Sequence, residues 1–209
     1  MRPASYVILD VTRGHMTKPR ELFLWIACAA VLLSTAAPAR AQTNIEPEEF
    51  SAFAVAMGAM SSGTAQLIFT VNRWSSEAER DQLFAVLKKE GQKGLLESIR
   101  DAKRVGNLRT PNSVGYELRL ALVDTTKEGN RRILLFTDRP VGFAEATARP
   151  PSYEYPFTVI DILMPPEGKG KGTMSIAAKI IPAGRTIVVE NYDTQPVQLN
   201  NIESRKLKK

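Results

Sequence analysis

Histidine and cysteine are almost missing from this chain, which holds one of each in 209 residues. Both, His15 and Cys28, lie in the first 30 positions. A basic n-region with Lys18 and Arg20 precedes the apolar stretch "LFLWIACAAVLLSTAAPA", which closes at Ala39-Arg40-Ala41. That order predicts a secretory signal peptide over residues 1–41, cut before Gln42. Met16 is an alternative start, because the n-region begins there and residues 1–15 fit no targeting pattern. The strongly apolar part, Leu22 to Leu33, falls short of the roughly 20 residues that a membrane anchor needs. Cys28 is read as one more apolar residue of that stretch, since "AAVLL" continues beyond it.

The expected mature chain therefore has neither residue. No histidine base, Ser-His-Asp triad, thiol nucleophile, disulfide or Cys/His zinc site can be built from it. No cofactor or metal is expected, and no spaced acidic ligand loop occurs. Carboxylates, Lys and Tyr remain for catalysis, but losing the commonest acid-base residue tilts the reading away from an enzyme. Net charge is also small. Removing residues 1–41 takes five of the 28 Lys and Arg and two of the 22 acids, so the net charge falls from +6 to +3. That is too mild to argue for nucleic acid. No Gly-rich phosphate loop occurs, and "GKGKG" lacks Walker spacing.

What is present reads mostly as strands in one domain over residues 42–202, followed by a basic tail, 203–209. "FSAFAVAMG" is a short strand with Phe53, Val55 and Met57 on one face and Ala52, Ala54 and Ala56 on the other. "TAQLIFTVNRW" is a second strand. Then "SSEAERDQL" supplies a capping box, Ser76 to Glu79, with further acids where a helix dipole favours them. Leu83, Phe84 and Leu87 make an apolar stripe ended by Lys88, Lys89 and Gly91, and a second helix follows over Lys93 to Ala102. Trp74 is expected to pack under the first helix and Arg73 to pair with a first-turn acid.

Three hairpins follow. "VGYELRLALV" returns as "RRILLFT", with Tyr116, Leu118, Leu120 and Leu122 on one face. "YPFTVIDILM" returns as "GTMSIAAKII" around "PPEGKGKG", whose glycines and prolines break both strands. "RTIVVENY" pairs with "QPVQLNNI". The fold class is thus α+β and β-rich: an antiparallel sheet curled into a barrel or a sandwich, with one helical hairpin inserted after an early strand.

The connection "DRPVGFAEATARPPSYEYP", 19 residues without a period, is long for a compact domain. Asp138, Arg139, Phe143, Glu145, Tyr153 and Tyr155 make it the candidate binding surface, with Asp138 and Arg139 also suited to fixing the turn before Pro140. Glu145, Glu154 and Asp161 are the acids a carboxylate hydrolase would use, two of them about 5 to 10 Å apart. Asp161 has a competing explanation. With Met164 opposite Met174, it would lie opposite Ala177 and diagonal to Lys179, in reach of an ion pair.

The segments "NRWSSEAERDQL", "VGYELR", "TDRPVGFAEA", "YPFTVIDI", "MSIAAKI" and "VENYDTQPVQL" resemble an uncharacterised family of small exported bacterial proteins. The likeness covers most of residues 50–202 and implies a strand over Phe50 to Met57, export and one domain, but no activity. "FAEA" departs from that family's common form, with Ala144 in place of Trp. The function expected is an exported soluble domain with a binding or structural role. Its partner would be a small apolar ligand held inside a curled sheet, or a protein docked on the 138–156 loop. A carboxylate-dependent hydrolase is the alternative. No nucleic-acid partner and no membrane span after cleavage are expected.

Overall fold

Period-two alternation of burial marks several of the strands, and the inward rows of the sheet mix large side chains with very small ones. The computed structural model of the chain describes residues 6–10, 45–57, 62–141, 154–183, 186–191 and 195–208. The candidate cleavage site at 39–41 and the apolar stretch before it lie outside the described residues. In chain order the elements are β1 (Tyr6–Asp10), β2 (Glu48–Met57), β3 (Ser62–Val71), α1 (Glu77–Asp101), β4 (Gly106–Arg109), β5 (Tyr116–Leu118), β6 (Leu120–Thr125), β7 (Arg131–Thr137), β8 (Phe157–Met164), β9 (Gly170–Ala183), β10 (Thr186–Asn191) and β11 (Val197–Lys206).

One antiparallel sheet holds all the strands, in the order β5-β4-β3-β2-β11-β9-β8-β7-β6. Its two ends, β5 and β6, are halves of one extended segment separated only by Arg119. The first half pairs with β4 and the second with β7, so the sheet is nearly closed into a barrel by the chain itself. Two contacts draw the ends together. Arg119 N–H donates to the Phe136 carbonyl at 2.9 Å. Ser75 donates its N–H to the Ala121 carbonyl at 2.8 Å, and its hydroxyl accepts the Ala121 N–H at 3.2 Å. β10 branches from the far half of β9 and carries β1 on its other side.

The apolar residues sort into two clusters. Inside the barrel lie Phe50, Phe69, Leu108, Leu118, Ile133, Leu135, Ile160, Ile162 and Met174, each at most 1 % exposed. They meet the small inward rows Ala52, Ala54 and Ala56 of β2 and Gly170 and Gly172 of β9, so large and small residues interdigitate across a narrow lumen. Outside, α1 covers the second cluster, where Leu87, Leu95, Leu96 and Ile99 pack on Leu120, Leu134, Phe136, Phe157 and Val159.

The expected helical pair is one helical element broken at Gly91, where φ is +68°, a conformation that suits glycine. The capping box is present: Ser76 Oγ accepts the Glu79 N–H at 3.2 Å and Glu79 accepts the Ser76 N–H at 2.7 Å. Arg73 pairs with Glu79 at 2.9 Å, as expected of a first-turn acid. Trp74 does not pack under the helix. Its ring meets Phe50 edge-on at 6.4 Å and its indole N–H donates to the Glu46 carbonyl at 3.1 Å, so it seals the barrel end instead.

Four strand expectations need correction. Leu118 faces the barrel interior whereas Leu120 and Leu122 face α1, because the segment bends at Arg119 and its facing changes there. The hairpin of β8 and β9 closes four residues earlier than expected, with Ile160 opposite Met174 and Asp161 opposite Thr173. The glycines permit this rather than break the strand: a Cβ on Gly172 would stand 2.5 Å from the Asp161 carbonyl oxygen. β10 and β11 do not pair with each other. Ile187 and Val189 belong under α1 while Val197, Leu199 and Ile202 belong in the barrel, so the two strands bury on opposite faces and both pair with β9. The expected tail is strand as far as Lys206, paired with β2.

The Arg73 hydrogen bond holds the Glu79 carboxyl below its ordinary 4.5, against partial burial and with help from the Ser76 N–H. The folded protein thus binds this proton less readily than the unfolded chain does. The resulting stability is fully present above about pH 4.5 and is lost as the pH falls through the lowered value. Urea midpoints of Glu79→Gln and the parent chain should differ most near pH 7 and converge toward pH 3. Parallel profiles over that range would contradict the assignment.

Candidate functional site

Among the described residues the inward rows of the barrel are buried side chains packed against one another. The hollow between α1 and the sheet is apolar, about 40 Å³, and lined by Leu83, Phe84, Leu87, Leu120, Phe136 and Ile187 among others. That is far short of the roughly 300 Å³ at which small-molecule pockets begin. A larger, shallow hollow of about 500 Å³ lies on the outer face of β7, β8, β9 and β11, beyond the reach of α1. Arg132, Asp161, Leu163, Lys171, Thr173 and Gln198 form its floor.

Period-two alternation places these residues. On β8 the inward Ile160, Ile162 and Met164 alternate with outward Asp161 and Leu163, and on β9 the inward Gly172 and Met174 alternate with outward Lys171 and Thr173. Asp161 is therefore on the open outer face, where it accepts both Arg132 Nε at 3.0 Å and Arg132 Nη2 at 2.7 Å. The expected partner, Lys179, is out of reach for the reason given by the register. It lies opposite Glu190, on the face away from α1, with its ammonium 6.0 Å from the Tyr155 ring. The guanidinium holds both oxygens of this carboxyl group and so fixes its orientation. The hollow thus carries the cation-anion pair Arg132–Asp161, the further charges of Lys171 and Glu128, and neutral donors and acceptors around Leu163. It is suited to a surface that offers hydrogen bonds of both kinds. Among the described residues no group of three or more His, Cys, Asp or Glu could hold a metal.

The long connection is described only at its ends. Phe143, Glu145 and Tyr153 lie outside the described residues, whereas Asp138, Arg139 and Tyr155 lie within them. The neck of the connection is stitched by two buried threonines in register on β7 and β8. Thr158 N–H donates to Thr137 Oγ1 at 3.2 Å, Thr158 Oγ1 donates to the Ile176 carbonyl at 2.7 Å, and the Val141 N–H donates back to Thr158 Oγ1 at 2.9 Å. Thr137 Oγ1 also donates to the Arg139 carbonyl. Asp138 is buried beside the Arg139 guanidinium at 3.4 Å. At the other end Tyr155 donates its hydroxyl to Glu190 at 2.6 Å. Gln92, just past the helix break, bonds both the Glu154 carbonyl and the Ile180 N–H at 3.1 Å. Asp138 and Tyr155 are thus built into the framework that holds the two ends together.

Two groups escaped the sequence reading. The polar floor of the outer hollow spans four strands and needs the register to be seen. Glu48 and Arg131 form a bidentate pair at 2.7 and 3.0 Å although their strands are not neighbours. Their signal was parity: Glu48 is in phase with inward Phe50 and Ala52, and Arg131 with inward Ile133 and Leu135. The Glu48 hydrogen bonds raise Arg131 above its ordinary pKa, with burial opposing.

The pairing of Asp161 is open to a direct check. A double-mutant cycle on Asp161→Ala and Arg132→Ala should return a favourable coupling of about 1 to 2 kcal/mol in urea unfolding. The same cycle on Asp161→Ala and Lys179→Ala should be additive to within about 0.5 kcal/mol, and coupling there would contradict the register. Compared with protein-family models, with characterised proteins and with solved structures, the chain shows no match.

Proposed function

We propose that this chain is an exported, non-catalytic binding domain, in which the barrel is a scaffold and the outer face of β2, β11, β9 and β8 docks a protein partner. The observation that carries this reading is where apolar surface remains. The described side chains fill the barrel interior, which favours a docking surface over an enclosed small ligand, while Phe53 is 46 % exposed, Met57 67 % and Leu163 43 %. All three stand on the outer face, out of phase with the inward rows of their strands. Phe53 and Leu163 are three strand steps apart, about 14 Å, and flank the polar floor of Lys171, Thr173 and Gln198. Large apolar anchors beside satisfied polar groups are the composition of a protein interface. An exported chain without a catalytic histidine or thiol fits that role.

The carboxylate hydrolase is less supported. It needs two acids free to act on one cleft, whereas Asp161 gives both oxygens to Arg132. Glu154 is exposed at a turn, and Glu145 lies outside the described residues.

A photo-crosslinking residue placed at Phe53 or at Leu163, in cells that export the protein, tests the docking face. Both positions should give an adduct of one mass, and Leu163→Glu should abolish the adduct formed from position 53. Val114, 96 % exposed on the turn between β4 and β5, should give none. Absence of adducts at both positions, or a hydrolytic activity lost with Asp161→Asn, would overturn the proposal.

A further inference from the structure

β1 sits upstream of the expected cleavage site, yet it pairs along the outer edge of β10. Its register is Tyr6 opposite Glu190, Val7 opposite Val189, Ile8 opposite Val188, Leu9 opposite Ile187 and Asp10 opposite Thr186. If residues 1–41 are removed on export, or if translation starts at Met16, this strand is gone. The edge it leaves is Thr-Ile-Val-Val-Glu, rich in β-branched residues and unprotected by proline, lysine or a bulge. Such an edge recruits another strand.

The strand that fits it is already in the protein. β1 reads Tyr-Val-Ile-Leu-Asp, and β10 over Thr186–Glu190 reads Thr-Ile-Val-Val-Glu. Both begin with a residue that favours strands, continue with three apolar residues and end in an acid. A second β10, antiparallel to the first about a two-fold axis through Val188, puts Val188 opposite its own copy. It puts Ile187 opposite Val189 of the second copy, and Thr186 opposite Glu190 of the second copy. Position by position this reproduces what β1 supplies: an acid opposite Thr186 and apolar residues opposite Ile187, Val188 and Val189. Register parity also holds, because opposed residues share a face when the axis passes through a residue and runs perpendicular to the sheet. Ile187 and Val189, buried against α1, then extend one apolar strip across the seam.

We infer that β10 is the seam of a symmetric homodimer of the exported chain, the edge along which β1 lies where residues 1–15 are present. The partner is a second copy of this chain, joined edge to edge into one continuous sheet. The seam is distinct from the docking face proposed above and does not depend on its occupant. It rests on loss of residues 1–41, and a chain of residues 42–209 made directly separates failure of the leader reading from failure of the seam. That chain retains β2 to β11 and every residue named in the two hydrophobic clusters above.

The near-absence of cysteine supplies the test. The 42–209 chain has no thiol, so Val188→Cys carries one. Residues opposed across antiparallel strands stand about 4.5 to 5.5 Å apart at Cα, within the range of a disulfide. Diamide takes two electrons and two protons from the paired thiols and is reduced to its hydrazine, leaving one disulfide between two copies. The unmodified 42–209 chain should sediment as a dimer. Val188→Cys should give a reducible covalent dimer, and Ile187→Cys alone should give at least tenfold less. A peptide of residues 1–15, in excess, should suppress the cross-link, and the same peptide with Ile8→Pro should not. A 42–209 chain that stays monomeric at about 100 µM and does not cross-link at position 188 would overturn the seam. Cross-linking indifferent to the peptide would overturn the role of β1.

Discussion

A bidentate ion pair between Glu48 and Arg131 crosses one end of the barrel, and the packing on both sides of it depends on where those two residues stand. β2 and β7 are separated by three intervening strands, so the pair ties opposite walls rather than neighbours. Each partner heads an inward row, Glu48 above Phe50 and the alanines, Arg131 above Ile133 and Leu135. Glu48 is 3 % exposed. A charge so placed is tolerated only with its partner in position, which fixes the phase of both strands. A one-residue slip in either would send its whole apolar row to the outside.

The narrow lumen sets how the barrel packs. Alanines on β2 and glycines on β9 let opposite walls approach until aromatic and branched residues fill the space between them. Among the described residues the barrel interior is therefore filled by its own side chains. α1 takes one part of the outside and buries it. The remainder, around Arg132, Asp161 and Leu163, stays open and carries both the apolar anchors and the polar floor. The edge of β10 is a separate feature, governed by backbone hydrogen bonding.

The local signals in the sequence were readable because they are local. The capping box at Ser76, the Arg73–Glu79 pair, the β6–β7 hairpin and the choice of an antiparallel, curled sheet all follow from spacing within about a dozen residues. Register and facing were harder. The "GKGKG" stretch reads as a turn, but two of its glycines are strand residues that let β9 lie close against β8, and this moved Asp161 from Lys179 to Arg132. The alternation through Tyr116 to Leu122 looks continuous, yet a bend at Arg119 divides it between two cores. β10 and β11 look like a hairpin until the faces they bury are compared. Of the candidate site, Asp138, Arg139 and Tyr155 are placed as parts of the neck of the long connection. The outer hollow was invisible because its residues come from four strands.

The ion pair is the point at which this account is most exposed. Arg131→Met leaves Glu48 buried without a partner and should cost about 3 kcal/mol in urea unfolding. Glu48→Met combined with Arg131→Met removes both charges and should recover most of that loss, because an apolar pair of similar volume suits the barrel end. An Arg131→Met protein within about 0.5 kcal/mol of the parent, or a double variant less stable than the single one, would show that the pair does not hold the walls together.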